Sequence, residues 1–186
     1  MHSVILMSDM SISLSLIPRF QIKAAADACA DEASFGLGAW IEFPSGLTSW
    51  CAYQGTPKDL PSWLADHPPQ RLIASLELAA QVLTLMLLIQ IAHHPSQFEI
   101  VSGLDNQSAE GILCHGFTTC IPATRVLQIL NVLLQFSQSR LTPYRLSSQD
   151  NWRADHLSRG HFSHESPQTR SAFPLSNLWD AFGLLE

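Results

Sequence analysis

The chain has 186 residues, 46% of them hydrophobic, with 10 Lys and Arg against 16 Asp and Glu for a formal charge of −6 at pH 7. That length and apolar share suit one folded domain with residues to spare, and they exclude a disordered chain. The acidic balance excludes a protein that grips nucleic acid through bulk positive charge, yet leaves room for a nuclease, whose metal ions need carboxylates. Only Lys23 and Lys58 are lysines; the other cations are arginines, which suit directed phosphate contacts.

The four cysteines, Cys29, Cys51, Cys114 and Cys120, form no Cys-x-x-Cys pair and are too sparse for a disulfide scaffold. They are expected to be buried thiols in a reducing, intracellular compartment. Cys114, His115 and Cys120 fit no standard zinc spacing and lack an evident fourth ligand. Residues 1–20 carry no basic leader region and no small-residue cleavage site, so they make a poor signal peptide and are expected to be a leader or an extra strand.

Residues 11–17, Ser-Ile-Ser-Leu-Ser-Leu-Ile, alternate strictly and predict an extended segment. Gln21–Ala30, with Asp27 embedded in small apolar residues, predicts the first strand of the domain. Gly36–Phe43 predicts a second, Pro44-Ser45-Gly46 a turn, and Leu47–Tyr53 a third, together an antiparallel meander. A loop over 54–70 ends in Pro68-Pro69, a helix-start signal, and a long helix is predicted from near Arg71 to His93-His94-Pro95. The stretch from Leu72 to Ala92 is apolar and just long enough to cross a bilayer. It nevertheless contains Glu77, Gln81, Thr84 and Gln90, and it also fits the central helix of a layered α/β domain, the reading preferred here. Phe98–Ser102 predicts a fourth strand, broken by Gly103. A short helix is predicted after Asp105 to about Leu113, another from Pro122 to about Ser139, a fifth strand over Leu141–Leu146, and a last short helix over Arg153–Arg159. Three strands followed by helices alternating with strands predict an α/β domain, a five-stranded mixed sheet flanked by helices, over residues 21–160. Residues 161–186 are expected to be a tail, with Phe173, Leu178, Trp179 and Phe182 able to dock on the body.

Four acids stand out. Asp27 lies in the first strand, Glu77 in the first third of the long helix, Asp105 just past the fourth strand, and Asp155 near the start of the last helix. Each has an ordinary role open to it: a turn cap for Asp27, an exposed helix stripe for Glu77, a helix cap for Asp105, a first-turn acid for Asp155. The neighbours of Glu77 are Leu76, Leu78, Ala79 and Ala80, which argues against a solvated side chain. Taken together, such placements converge acids at one edge of a mixed sheet, and gathering like charges there calls for hard divalent cations between them.

The strings Ala-Asp27-Ala with Gly36-Leu-Gly-Ala-Trp40, Ser75-Leu-Glu77-Leu-Ala, Asp105-Asn106-Gln-Ser-Ala and Asn151-Trp-Arg-Ala-Asp155-His-Leu-Ser-Arg159 resemble the ribonuclease H domains of retroelement reverse transcriptases. The last string is the most specific, similar to that family's Asn-x-x-Ala-Asp-x-Leu-Ser-Arg closing motif. The resemblance spans roughly 21–160. It implies a ribonuclease H-like fold and cleavage of the RNA strand in an RNA–DNA hybrid. Asp27, Glu77, Asp105 and Asp155 would hold two Mg²⁺ ions, for which Mn²⁺ would substitute. Two ions about 4 Å apart activate the attacking water and stabilise the departing 3′ oxygen. Asp27 would bridge them, and Asp155 would be the most mobile ligand. Asn106 and Gln107 would meet the minor groove, where 2′-hydroxyls mark RNA. Arg140, Arg145, Arg153 and Arg159 would form a phosphate track, with Asn151 counted among the substrate contacts.

Two departures from the family pattern bear on turnover and grip. Ser147-Ser-Gln-Asp150 lacks the His that many members carry before the last acid, and residues 106–139 contain only Arg125 where some members have a basic helix. Weak intrinsic binding is therefore expected, with a polymerase domain of the same polyprotein, or another partner, supplying grip. The competing reading is a catalytically weak or inactive module of the same fold that serves as a connection within a reverse transcriptase; the four retained acids argue against it. An integrase or junction resolvase would share the fold but not the closing motif. No Gly-rich phosphate loop and no nucleophile elbow is present.

Overall fold

The computed structural model describes residues 20–65, 67, 72–92 and 97–172. The alternating segment at 11–17, the Pro68-Pro69 and His93-His94 signals, and the residues Phe173, Leu178, Trp179 and Phe182 lie outside the described residues.

Strands β1 (Phe20–Ala30), β2 (Phe35–Glu42) and β3 (Thr48–Gly55) form the antiparallel meander. Asp31 folds the first connection by accepting hydrogen bonds from the Ala33 and Ser34 amides, both at 2.7 Å. Gly46, at φ +81°, turns the second, where a side chain would be strained. Helices α1 (Ser62–Ala65) and α2 (Ile73–Ala92) lead to β4 (Phe98–Leu104); α3 (Gln107–His115) and α4 (Ile121–Phe136) lead to β5 (Arg140–Arg145); α5 (Trp152–Ser158) follows. The sheet order is β3-β2-β1-β4-β5, with β4 parallel to both β1 and β5. This is the five-stranded mixed sheet expected from the sequence.

Two details differ from expectation. Gly103 does not break β4; it pairs with Ala25 and Tyr144, and the strand continues to Leu104. Leu146 crosses there: a Cβ would stand 2.3 Å from Leu146 Cδ1, so any side chain would displace that leucine. The loop over 54–70 contains a one-turn 3-10 helix, Pro57–Asp59, and α1. Asp59 anchors that turn by accepting from the Thr56 amide and hydroxyl, at 2.7 and 2.8 Å.

The core lies between one face of the sheet and α2 with α4. Ile22, Ala24, Ala26 and Ala28 of β1 and Leu37, Ala39 and Ile41 of β2 alternate inward, and they meet Leu76, Ala80 and Leu83 of α2 and Val126, Ile129 and Leu130 of α4. Helix α2 has the length and apolarity of a membrane span. Its residues 75–85, Leu87 and Leu88 are buried in this domain, which accounts for a helix apolar on every side.

The opposite face carries Asp27, Gly38 and Ala52 in one cross-strand row and Ala25, Trp40 and Trp50 in the next. Helix α5 packs on β1, β2 and β3. Residues 161–172 then run back over the same region. Phe162 lies 5.2 Å from Trp50, ring centre to ring centre; the Trp50 indole N–H donates to the Ser166 carbonyl at 2.9 Å, and Ser49 Oγ donates to the Thr169 carbonyl at 2.8 Å. Arg153 stacks on Trp40 at 4.8 Å and forks onto Glu165 at 2.5 and 2.7 Å. This return segment leaves Trp50 only 2% exposed.

Candidate active site

The parallel register between β1 and β4 sets the site. Ala25 pairs with Gly103, so two residues further on Asp27, still within β1, comes level with Asp105, just past the end of β4. Glu77 approaches from the second turn of α2. One carboxylate oxygen from each of Asp27, Glu77 and Asp105 lies within 4.8 Å of the others.

Asp27 and Glu77 are 4% and 3% exposed, and Asp105 is half-buried. Burial, with the charges of Asp105 and Asp155 added to it, pushes the Asp27 carboxyl up to about 7, against the opposing pull of the Ser158 hydrogen bond and Arg159. Burial and then the charges of Asp27 and Asp105 push Glu77 up to about 9, opposed by a hydrogen bond from the Ala28 backbone. Glu77 Oε2 is shut off from solvent and has no hydrogen-bond partner among the described residues. Three convergent carboxyls, two of them buried and one with an orphaned oxygen, form a donor set of hard oxygens that fits a divalent cation.

Asp155 is placed beside this group rather than in it. Its Oδ1 accepts from Arg159 Nε at 2.7 Å, one helical turn away, while its charge still acts on Asp27. Asn106 caps α3, its side-chain oxygen accepting from the Ser108 and Ala109 amides at 3.0 Å each; Asp105 is therefore free of the capping role. The Asn106 side-chain N–H₂ remains to donate, and Gln107 is exposed beside it.

Three of the expected substrate contacts, Asn151, Arg153 and Arg145, have partners within the protein. Asn151 is 1% exposed and turned inward: its Nδ2 donates to the Ala26 carbonyl and to Asp27 Oδ1, both at 3.4 Å. Arg153 is held between Trp40 and Glu165. Arg145 is paired with Glu110 at 3.4 Å, and of the four arginines Arg140 alone makes no ion pair among the described residues. His156 and His161 gather with His164 and the half-exposed Trp152 around α5, the ring centres of His156 and its imidazole neighbours 5.8 and 5.9 Å apart.

Sequence reasoning missed the seat of α5. A Cβ on Gly36 would stand 1.8 Å from the Ser158 carbonyl oxygen, and one on Gly38 2.4 Å from the Ser158 nitrogen. A glycine at alternate positions of a buried strand is the signal of another backbone pressing on that face. Ser158 itself is fully buried, and its hydroxyl donates to Asp27 Oδ2 at 2.6 Å.

No protein-family model matches the chain, and no curated protein matches its sequence. Solved structures do match it. The RNase H1 of the halophilic archaeon Halobacterium salinarum NRC-1 aligns with a TM-score of 0.56 at 15% identity, over 76% of this chain and 97% of that one. The chain has the ribonuclease H fold. LC11-RNase H1, crystallised with an RNA/DNA hybrid, aligns at 0.57 and 14% identity over 75% and 94% of the two chains. The N-terminal RNase H domain of a Mycobacterium tuberculosis protein aligns at 0.56 and 11%, over 76% and 93%. At these identities the likeness to ribonuclease H structures is one of fold, and the chemistry rests on the residues above.

Proposed function

We propose that this chain is a metal-dependent ribonuclease H that cuts the RNA strand of RNA–DNA hybrids and belongs to the retroelement reverse transcriptase type. The observation that carries this reading is the convergence of the buried Asp27 and Glu77 with the half-buried Asp105, three carboxyls whose charged forms are crowded enough to call for cations between them. Its support from the fold is a structural neighbour crystallised with an RNA/DNA hybrid.

Asp27, Glu77 and Asp105 would hold two Mg²⁺ ions, with Mn²⁺ able to replace them, and Asp155 would join on release from Arg159. Bound there, the ions would supply a nucleophilic water and charge relief at the leaving oxygen. Asp27, between the strand-end Asp105 and the helical Glu77, would take the shared position. The Asn106 amide and Gln107 would read 2′-hydroxyls in the minor groove. The ion pairs on Arg145, Arg153 and Arg159 leave little cationic surface for phosphate, which supports a partner such as a polymerase domain supplying grip, in an intracellular setting. The same observation favours the second reading, a catalytically weak or inactive connection module of the same fold.

The test uses purified chain and an Asp105→Asn variant on a labelled RNA strand paired with DNA, paired with RNA, or alone, each with Mg²⁺, Mn²⁺ or EDTA. Metal-dependent cutting of the hybrid alone, lost in the variant, is expected. Absence of cutting with Mn²⁺ at low salt would select the module.

A further inference from the structure

Helix α5 supplies more than a fourth acid. Asn151 and Ser158 stand seven residues apart, two helical turns, and so share one face. That face is turned to Asp27. Ser158 Oγ donates to Oδ2 at 2.6 Å, and Asn151 Nδ2 approaches Oδ1 at 3.4 Å. Each oxygen of the carboxylate thus has one donor. A carboxylate oxygen has two lone pairs, so one on each oxygen remains. That is the number a carboxylate needs in order to serve two cations at once.

We propose that Ser158, seconded by Asn151, is a positioning residue that fixes the rotation of the Asp27 carboxylate so that both of its oxygens face the metal site. The inference rests on the functional reading above and deepens it. Three further observations bear on it. Ser158 is fully buried, so water cannot replace its hydroxyl. Its backbone is pinned independently of that hydroxyl: the carbonyl accepts from Gln54 Nε2 at 2.6 Å and from Cys29 Sγ at 3.0 Å, and the chain rests on Gly36 and Gly38. The hydroxyl lies 2.9 Å from the Asp155 carbonyl as well, but has a single proton, and the charged acceptor makes the stronger bond. Removing the hydroxyl therefore deletes the support of Asp27 and leaves the helix in place. The same helix would then present Asp155 to the site and aim Asp27 within it, so seating α5 would complete two ligands together.

The experiment is calorimetric titration of Mn²⁺ into the metal-free full chain, without nucleic acid, for wild type, Ser158→Ala and Ser158→Thr, each also in an Asp27→Asn background, with thermal melts of every metal-free protein. Ser158→Ala is expected to melt near wild type and to bind Mn²⁺ about 10- to 100-fold more weakly, the usual effect of losing a group that orients a metal ligand. Ser158→Thr, which keeps the hydroxyl, is expected to recover most of that affinity. In the Asp27→Asn background Ser158→Ala is expected to change nothing further. Wild-type affinity in Ser158→Ala would overturn the proposal. So would a loss of affinity that persists in the Asp27→Asn background, or failure of Ser158→Ala to fold in both backgrounds, each of which would assign the serine to the fold. The readout is independent of cleavage: a wild type that binds Mn²⁺ but leaves hybrids intact would refute the nuclease and spare the positioning role.

Discussion

Gly38 of β2 lies directly against the backbone of Ser158 in α5, with room for a hydrogen and none for a methyl group: a Cβ there would stand 2.4 Å from the Ser158 nitrogen and 2.7 Å from the Ala154 carbonyl oxygen. Both obstacles are backbone or helix core, which cannot swing aside as a side-chain tip can. Gly38→Ala is expected to lift α5, costing about 1–3 kcal/mol of stability as an overpacked site does. Because α5 carries Asp155 and Ser158, the proposed nuclease activity is expected to fall further than the melting temperature suggests. Parallel melts and cleavage assays check this.

The raised carboxyls of Asp27 and Glu77 set a pH dependence. Below 3.8 the Asp27 carboxyl is protonated whether the chain is folded or unfolded, and its burial carries no electrostatic cost. From 3.8 to about 7 the unfolded chain gives up a proton that the folded chain keeps, so folding stability falls as pH rises and the loss is complete above about 7. Glu77 behaves the same way between 4.5 and about 9. The contribution of these two groups to the metal-free melting temperature is thus expected to decline from pH 4 to pH 9. Mn²⁺ is expected to restore it most strongly at the alkaline end, and to release protons on binding below about pH 7 from Asp27 and below about pH 9 from Glu77. Melts with and without metal across that range, compared with Glu77→Gln, isolate the effect.

The return segment after α5 is expected to belong to the folded unit. Ending the chain after Gly160 would uncover Trp50 and remove the Phe162 ring, the Ser166 acceptor and the Glu165 partner of Arg153. Loss of one large buried aromatic contact sets the scale at about 3 kcal/mol. A chain ended after Ala172 keeps every one of these contacts. The shorter chain alone is expected to melt early and to show red-shifted tryptophan emission.

Asn106 has a capping role and a proposed substrate role, which substitution separates. Asn106→Ala removes the α3 cap and is expected to cost about 1 kcal/mol. Asn106→Asp keeps the capping oxygen and loses the amide, so its stability is expected to hold while KM for hybrid rises. Equal KM in Asn106→Asp and wild type would remove Asn106 from the substrate contacts.

Much of this arrangement was legible in the sequence. The strand and helix order followed from period and punctuation, and so did the elements that carry Asp27, Glu77 and Asp105; the parallel β1–β4 register that brings these three together, and leaves Asp155 beside them, is visible only in the structure. What stayed hidden depends on partners far along the chain. Asn151 looked like a substrate contact, yet it spends its amide on Asp27, 124 positions away. Arg153 looked like a phosphate ligand, yet Glu165 and Trp40 hold it, one from the tail and one from β2. Gly103 read as a strand break because local propensity cannot register Leu146 passing over it.

The commitment of the arginines has a consequence for kinetics on long substrates. A protein that neutralises few phosphates releases few counterions, so its affinity for a hybrid falls only gently as salt is raised. It also has little to hold it while it slides. On the proposed function, occupancy would come from effective concentration: fused to a neighbour that already holds the hybrid, the domain would meet it as an intramolecular partner, at a local level set by the linker rather than by its own surface. Cutting would be paced by where the neighbour halts, and the spacing of the products would record the length of the tether.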